Sequence, residues 1–157
     1  MATQWTAGTT SGQVLTAATL NTIGAAWETW TPVLTGSTTN PNLGSTGTST
    51  GRYARVNKIV IAQAQFVFNG AGIAAGAGFY KCSLPLTAQA ANPASGTSLA
   101  VDVSTFASTA NVTYLDSTTQ AVGIGSGGGG FAASIGSTTY VWAAGDIIRF
   151  FICYEAA

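Results

Sequence analysis

Two stretches of this chain alternate with a period of two, and that period commits them to extended strands. In 58–69, Ile59, Ile61, Gln63, Gln65 and Val67 fall on one face, and Val60, Ala62, Ala64, Phe66 and Phe68 on the other. In 146–154, Ile148, Phe150, Ile152 and Tyr154 face one way, and Ile147, Phe151 and Cys153 the other. Both faces carry apolar residues, as in strands buried at least in part on two sides. Arg149 sits among Ile147, Ile148, Phe150 and Phe151 and is therefore expected to be buried with a partner or at an interface.

The remaining segments read as shorter strands at 29–35, 52–56, 79–84, 98–106, 111–116, 120–124 and 130–135. Gly-, Ser-, Asn- and Pro-rich turns separate them, with a loop at 36–50 and a tight turn at Asn57. Short strands with turn signals at this spacing predict an all-β fold, an antiparallel β-sandwich of jelly-roll type. Only 15–27 reads as helix: Thr16 can cap it, and Leu20, Ile23 and Trp27 recur along one narrow face. Ahead of it lies a small, polar, extended arm carrying Trp5. The expected organisation is an arm and helix over 1–28, for attachment and oligomerisation, and a β-domain over 29–157.

Charge is scarce. Five basic and five acidic residues leave the 157-residue chain neutral, with 6% charged and 46% apolar residues, against about 25% charged in ordinary soluble domains. A lone monomer of this composition has little protection against self-association, so burial against copies of itself or another protein is expected. Net neutrality removes the long-range attraction that nucleic acid or an anionic membrane surface exploits, so neither is an expected partner. Residues 1–27 lack the basic start and apolar core of a secretory signal, and the uncharged 117–145 is too glycine-rich for a membrane helix. The reading is a chain made in the cytoplasm. Cys82 and Cys153 lie in apolar strands and read as free thiols.

The chemistry of common enzymes is missing. There is no histidine, which removes nucleophile–histidine catalysis and the usual zinc sites. Glu28, Asp102, Asp116, Asp146 and Glu155 form no pair in sequence, and Asp146, after Gly145, reads as a turn residue opening the last strand. The run Gly125-Ser126-Gly127-Gly128-Gly129-Gly130 has no following Lys-Ser/Thr and no helix, so it reads as a loop rather than a phosphate cradle. No metal, cofactor or catalytic residue is expected. Candidate contact residues are Tyr140 and Trp142, two apart on one strand face, and a basic strip of Arg52, Arg55 and Lys58. For the strip, a solvated or salt-bridged face is the alternative.

A resemblance rests on Trp5-Thr6-Ala7-Gly8, Gln13-Val14-Leu15-Thr16-Ala17-Ala18-Thr19-Leu20-Asn21, Trp30-Thr31-Pro32-Val33-Leu34-Thr35, Gly51-Arg52-Tyr53-Ala54-Arg55-Val56 and Leu84-Pro85. Together these resemble small virion proteins of tailed bacteriophages, over most of residues 5–86; Asn57 stands where such proteins usually have glycine. The resemblance implies a homotrimeric, jelly-roll-like module on the virion, attached through its N-terminal segment by Trp5, Leu20, Ile23 and Trp27. The expected role is a non-enzymatic structural protein displayed on the particle exterior, as capsid decoration or head fibre. A tail-fibre or tail-tip protein that recognises a host surface glycan is the alternative, and a free carbohydrate-binding module or hydrolase fragment the second.

Overall fold

The structure, a computed structural model, describes residues 26–89, 95–126, 134–135, 138–139 and 141–157; at 107, 124–126, 134–135 and 138–139 it describes the backbone alone. The expected helix over 15–27, and with it Trp5, Leu20 and Ile23, lies outside the described residues except for 26–27. Those two residues are not helical.

Eleven strands follow: β1 (Glu28–Trp30), β2 (Leu34–Gly36), β3 (Thr48–Val56), β4 (Ile59–Val67), β5 (Gly78–Ser83), β6 (Ser95–Asp102), β7 (Ala107–Leu115), β8 (Gln120–Ser126), β9 (Ser134–Ile135), β10 (Thr138–Thr139) and β11 (Ile147–Glu155). Nine form one continuous sheet in the order β1-β3-β4-β11-β6-β7-β8-β5-β2, and β9 and β10 form a separate pair. Every pairing is antiparallel. Hydrogen bonding thus links a single curled sheet, where two separate sheets were expected.

The two alternating strands become neighbours inside that sheet, third and fourth in its order, with Ile147 opposite Val67 and Glu155 opposite Ile59. Large inner-face residues meet small ones across the ladder, Phe150 opposite Ala64 and Ile152 opposite Ala62. On β6 they meet Ser98 and Gly96. The same economy holds on β8: a Cβ added at Gly123 would lie 2.4 Å from Ser98 Oγ and 2.9 Å from Phe150 Cε1. Small side chains in β6 and β8 therefore let the sheet fold back on itself, where bulkier ones would hold it open. Leu34 on β2 and Tyr80 and Cys82 on β5 close over Phe66, Ile148 and Phe150 to make one core. A second cluster joins Val60, Ala62, Ala121, Ile152 and Tyr154.

The turn at Asn57 forms as read, with φ 55°, a left-handed conformation that asparagine tolerates. Residues 36–50 are more ordered than a plain loop. Their second part starts β3, and their first is laced to 69–79 by backbone bonds such as Asn42 N to Ala74 O (2.9 Å) and Ala74 N to Asn42 O (3.0 Å). Asp146 does more than open β11. It is buried, and its carboxylate accepts from Val103 N (3.1 Å) and Ala143 N (2.8 Å), while its own carbonyl accepts from Phe68 N.

Candidate functional site

The strand alternation that fills the core also builds an outer face. On it, the register sets two transverse rows side by side. One runs Thr29–Arg52–Gln63–Phe151–Thr97, and the next Thr50–Gln65–Arg149–Leu99. These residues line a groove of about 670 Å³ across β1, β3, β4, β11 and β6. That volume lies within the range of small-ligand sites, about 300–1,000 Å³.

Two matched contacts organise the groove. Arg52 Nε donates to Gln63 Oε1 at 3.0 Å, and Arg149 Nε donates to Gln65 Oε1 at 2.9 Å. An arginine carries five N–H donors in a rigid plane, so each bond fixes that plane and leaves the terminal nitrogens available. Trp27 adds a third element: its ring lies 4.8 Å from the Arg52 guanidinium carbon, a cation–π contact. Phe151, opposite Gln63 and two residues along β11 from Arg149, is 40% exposed. The groove is suited to holding a ligand by hydrogen bonds, charge and ring contact.

The residues singled out in the sequence meet different fates. Arg52 belongs to the groove; Arg55 and Lys58 do not, and the basic strip dissolves. Arg55 is on the opposite face of β3, half-buried, with Nε donating to Asn57 O at 2.6 Å. Lys58, in the turn, lies 3.8 Å from Glu155. Three basic residues at spacings of three cannot share a strand face, because faces alternate every residue. Trp142 is no exposed partner for Tyr140. It is buried, stacked on Phe68 at 4.4 Å between ring centroids, and its Nε1 donates to Tyr80 Oη at 2.7 Å. Residues 141–143 are not a strand, so two-residue spacing carried no common face there; Tyr140 lies outside the described residues. Trp27 packs on Arg52, while Trp5, Leu20 and Ile23, expected with it in an attachment seam, lie outside the described residues. Arg149, expected to be buried with a partner or at an interface, is exposed on the outer face of the single chain.

Sequence reasoning passed over Gln63, Gln65, Arg149 and Phe151 as a site. The available signal was the interruption of an apolar outer face by two carboxamides two residues apart, with one cation on the neighbouring strand.

The other perturbed groups are structural. Burial pushes the Cys82 thiol far above its usual range and the Tyr154 phenol up to about 12. The hydrogen bond to Glu28 raises Tyr53, whose hydroxyl donates to Glu28 Oε2 at 2.7 Å. Hydrogen bonds, that from Ser104 foremost, hold the Asp102 carboxyl below its ordinary range. Both cysteines are free thiols, as expected. Among the described residues no cluster of three His, Cys, Asp or Glu side chains could hold a metal, and no helix is long and apolar enough to cross a membrane.

Comparison of the chain with protein-family models, curated proteins and solved structures finds no match.

Proposed function

We propose that this protein is a non-enzymatic structural component of a tailed-bacteriophage particle, displayed on the virion exterior as capsid decoration or head fibre. In this reading it is assembled in the host cytoplasm as a homotrimer of jelly-roll-like β-domains, and its N-terminal segment anchors it to a capsid or tail protein. The observation that carries the assembled state is the apolar end of the outer face. There Val56, Ile59, Val112 and Tyr114 are exposed beside the half-buried Ile61 and Cys153. Exposed apolar side chains grouped on one face of a chain this poor in charge favour burial against a copy of itself.

Two measurements test the reading. Sedimentation at micromolar concentration should give an oligomer, and Val112→Asp with Ile59→Asp should dissociate it; a 15.8 kDa wild-type species would refute self-assembly. Antibody labelling of intact particles should place the protein on their outside, and absence from purified virions would refute the particle role.

The groove favours a second reading, a tail-tip protein that binds host surface glycan. It lies beside the apolar end and is lined by Arg52, Gln63, Gln65 and Arg149, side chains suited to sugar hydroxyls. In this second reading copies dock on the apolar end and leave the groove open.

A further inference from the structure

We propose that the outer-face groove binds an acidic saccharide, a glycan bearing a carboxylate as uronic and sialic acids do, with Arg52 and Arg149 as its anion receptors. The inference rests on the second reading above, in that the groove must stay open in the assembly.

Charge argues first. Of the five cations, Lys58 pairs with Glu155 and Lys81 with Asp116 at 2.6 Å, while Arg55 bonds a backbone carbonyl on the other face. Among the described residues neither Arg52 nor Arg149 meets a carboxylate, and the groove lining contains none. A neutral chain thus places two like charges in one open groove whose lining holds no carboxylate. Strand spacing sets their α-carbons about 12 Å apart, two strands across and two residues along. Screening by water lowers their repulsion, and an anion placed between or beside them removes it.

Geometry argues next. Each guanidinium is held through Nε by a glutamine carbonyl, so its two terminal nitrogens point as a fork that matches a carboxylate. The glutamines keep their amide N–H groups for a ligand, and Thr29, Thr50 and Thr97 add hydroxyls that both donate and accept. Such a lining answers sugar hydroxyls. Phe151 and Trp27 offer exposed rings for the C–H face of a pyranose.

Other acidic ligands fit less well. A peptide added by backbone pairing uses a sheet edge, whereas β3, β4, β11 and β6 are each paired on both sides. Nucleic acid binding draws on many cations, and this net-neutral chain sets two in the groove.

Calorimetric titration of the full chain tests the proposal. The probes are oligosialic acid and oligogalacturonate, with dextran, poly-glutamate and inorganic phosphate as controls. Binding of at least one acidic oligosaccharide is expected, weakening more than tenfold in Arg149→Gln and in Arg52→Gln and falling with added salt. Arg149→Lys should recover only part of it, because the charge returns without the fork. Lys58→Gln should leave it unchanged. Circular dichroism and melting curves check that these exposed substitutions leave the fold intact. The proposal is overturned if neither acidic saccharide saturates the protein at millimolar concentration, if dextran, poly-glutamate or phosphate binds equally well, or if the arginine variants bind like wild type. Binding by the isolated protein is independent of particle labelling, so failure of the virion reading and failure of this site are separate results. Binding that disappears only in the assembled oligomer would show the groove to be covered there and would overturn its role in the assembly.

Discussion

The indole of Trp30 packs directly against Gly51, its partner in the β1–β3 ladder. A Cβ placed on Gly51 would sit 2.3 Å from Trp30 Nε1 and 2.7 Å from Cε2. The aromatic covers the glycine, and the bare α-carbon is what lets β1 bring its large ring onto the inner face. Gly51→Ala should therefore destabilise the domain by about 1–3 kcal/mol through overpacking. In the Trp30→Ala background the same change should cost far less, since the ring it strikes is gone. Urea unfolding of the two single variants and the double variant measures this coupling; additive losses would mean that the contact is not the cause.

Tyr154 sets an alkaline limit. Its hydroxyl donates to Leu86 O at 2.8 Å and accepts from Leu86 N at 3.2 Å, pinning the loop that follows β5 to β11. Burial raises its pKa to about 12, above the value near 10 expected in the unfolded chain. The folded state therefore favours the protonated phenol. This contribution is fully present below about pH 10 and is lost as pH rises toward 12. Unfolding midpoints measured from pH 8 to 12 should decline over that window. Tyr154→Phe should lower stability by about 1–3 kcal/mol at pH 8 and flatten the alkaline decline.

The two thiols should differ sharply in reactivity. Cys82 is buried on the inner face of β5 and its thiol is raised by desolvation, so alkylating reagents should leave it unmodified in the native state. Cys153 lies on the outer face beside Ile61 and is half-buried in the single chain. Mass spectrometry after brief iodoacetamide treatment should find label at Cys153 alone in dissociated subunits, with protection appearing as the oligomer forms. Equal labelling in both states would place the apolar end outside the interface.

Asp146 is a structural carboxylate. It bonds the turn after β6 and the approach to β11, while its own carbonyl holds the end of β4. Asp146→Ala would leave the Val103 and Ala143 N–H groups without acceptors and should cost about 2–4 kcal/mol. Asp146→Asn should recover part of that. Thermal melts of both variants check the order, and an unchanged Ala variant would show that water replaces the carboxylate freely.

Much of this architecture is local enough to be legible in sequence. Period-two alternation sorted the residues of β4 and β11 onto their two faces one by one, because a strand's faces follow from backbone geometry alone; with apolar residues on both, it did not say which face turns inward. Asn57 marked its turn by its tolerance of positive φ, and Gly-rich segments marked strand breaks, whereas the single strand read over 29–35 divides around Pro32 into β1 and β2. The strand at 98–106 was read too long because Asp102 bends the chain: its carboxylate accepts from Ser104 N at 2.9 Å and Thr105 N at 3.1 Å. The ends of strands depend on such side-chain bonds more than on hydrophobic pattern.

Which strands become neighbours is another matter. The sequence by itself determined that this chain is strand-forming, that Val60 and Phe66 share one face of β4 and Ile148 and Phe150 one face of β11, and that the chain is short of charge; which face turned inward came from the packing. Only the tertiary structure inserted β11 between β4 and β6, curled nine strands into one sheet, buried Trp142 against Phe68, and brought Arg149 alongside Gln65 and two strands from Arg52. Residues 84 positions apart in the chain meet at 2.9 Å in that last contact. Local periodicity records a residue's face but not its partner across the ladder, because pairing is decided by how all the strands share one core.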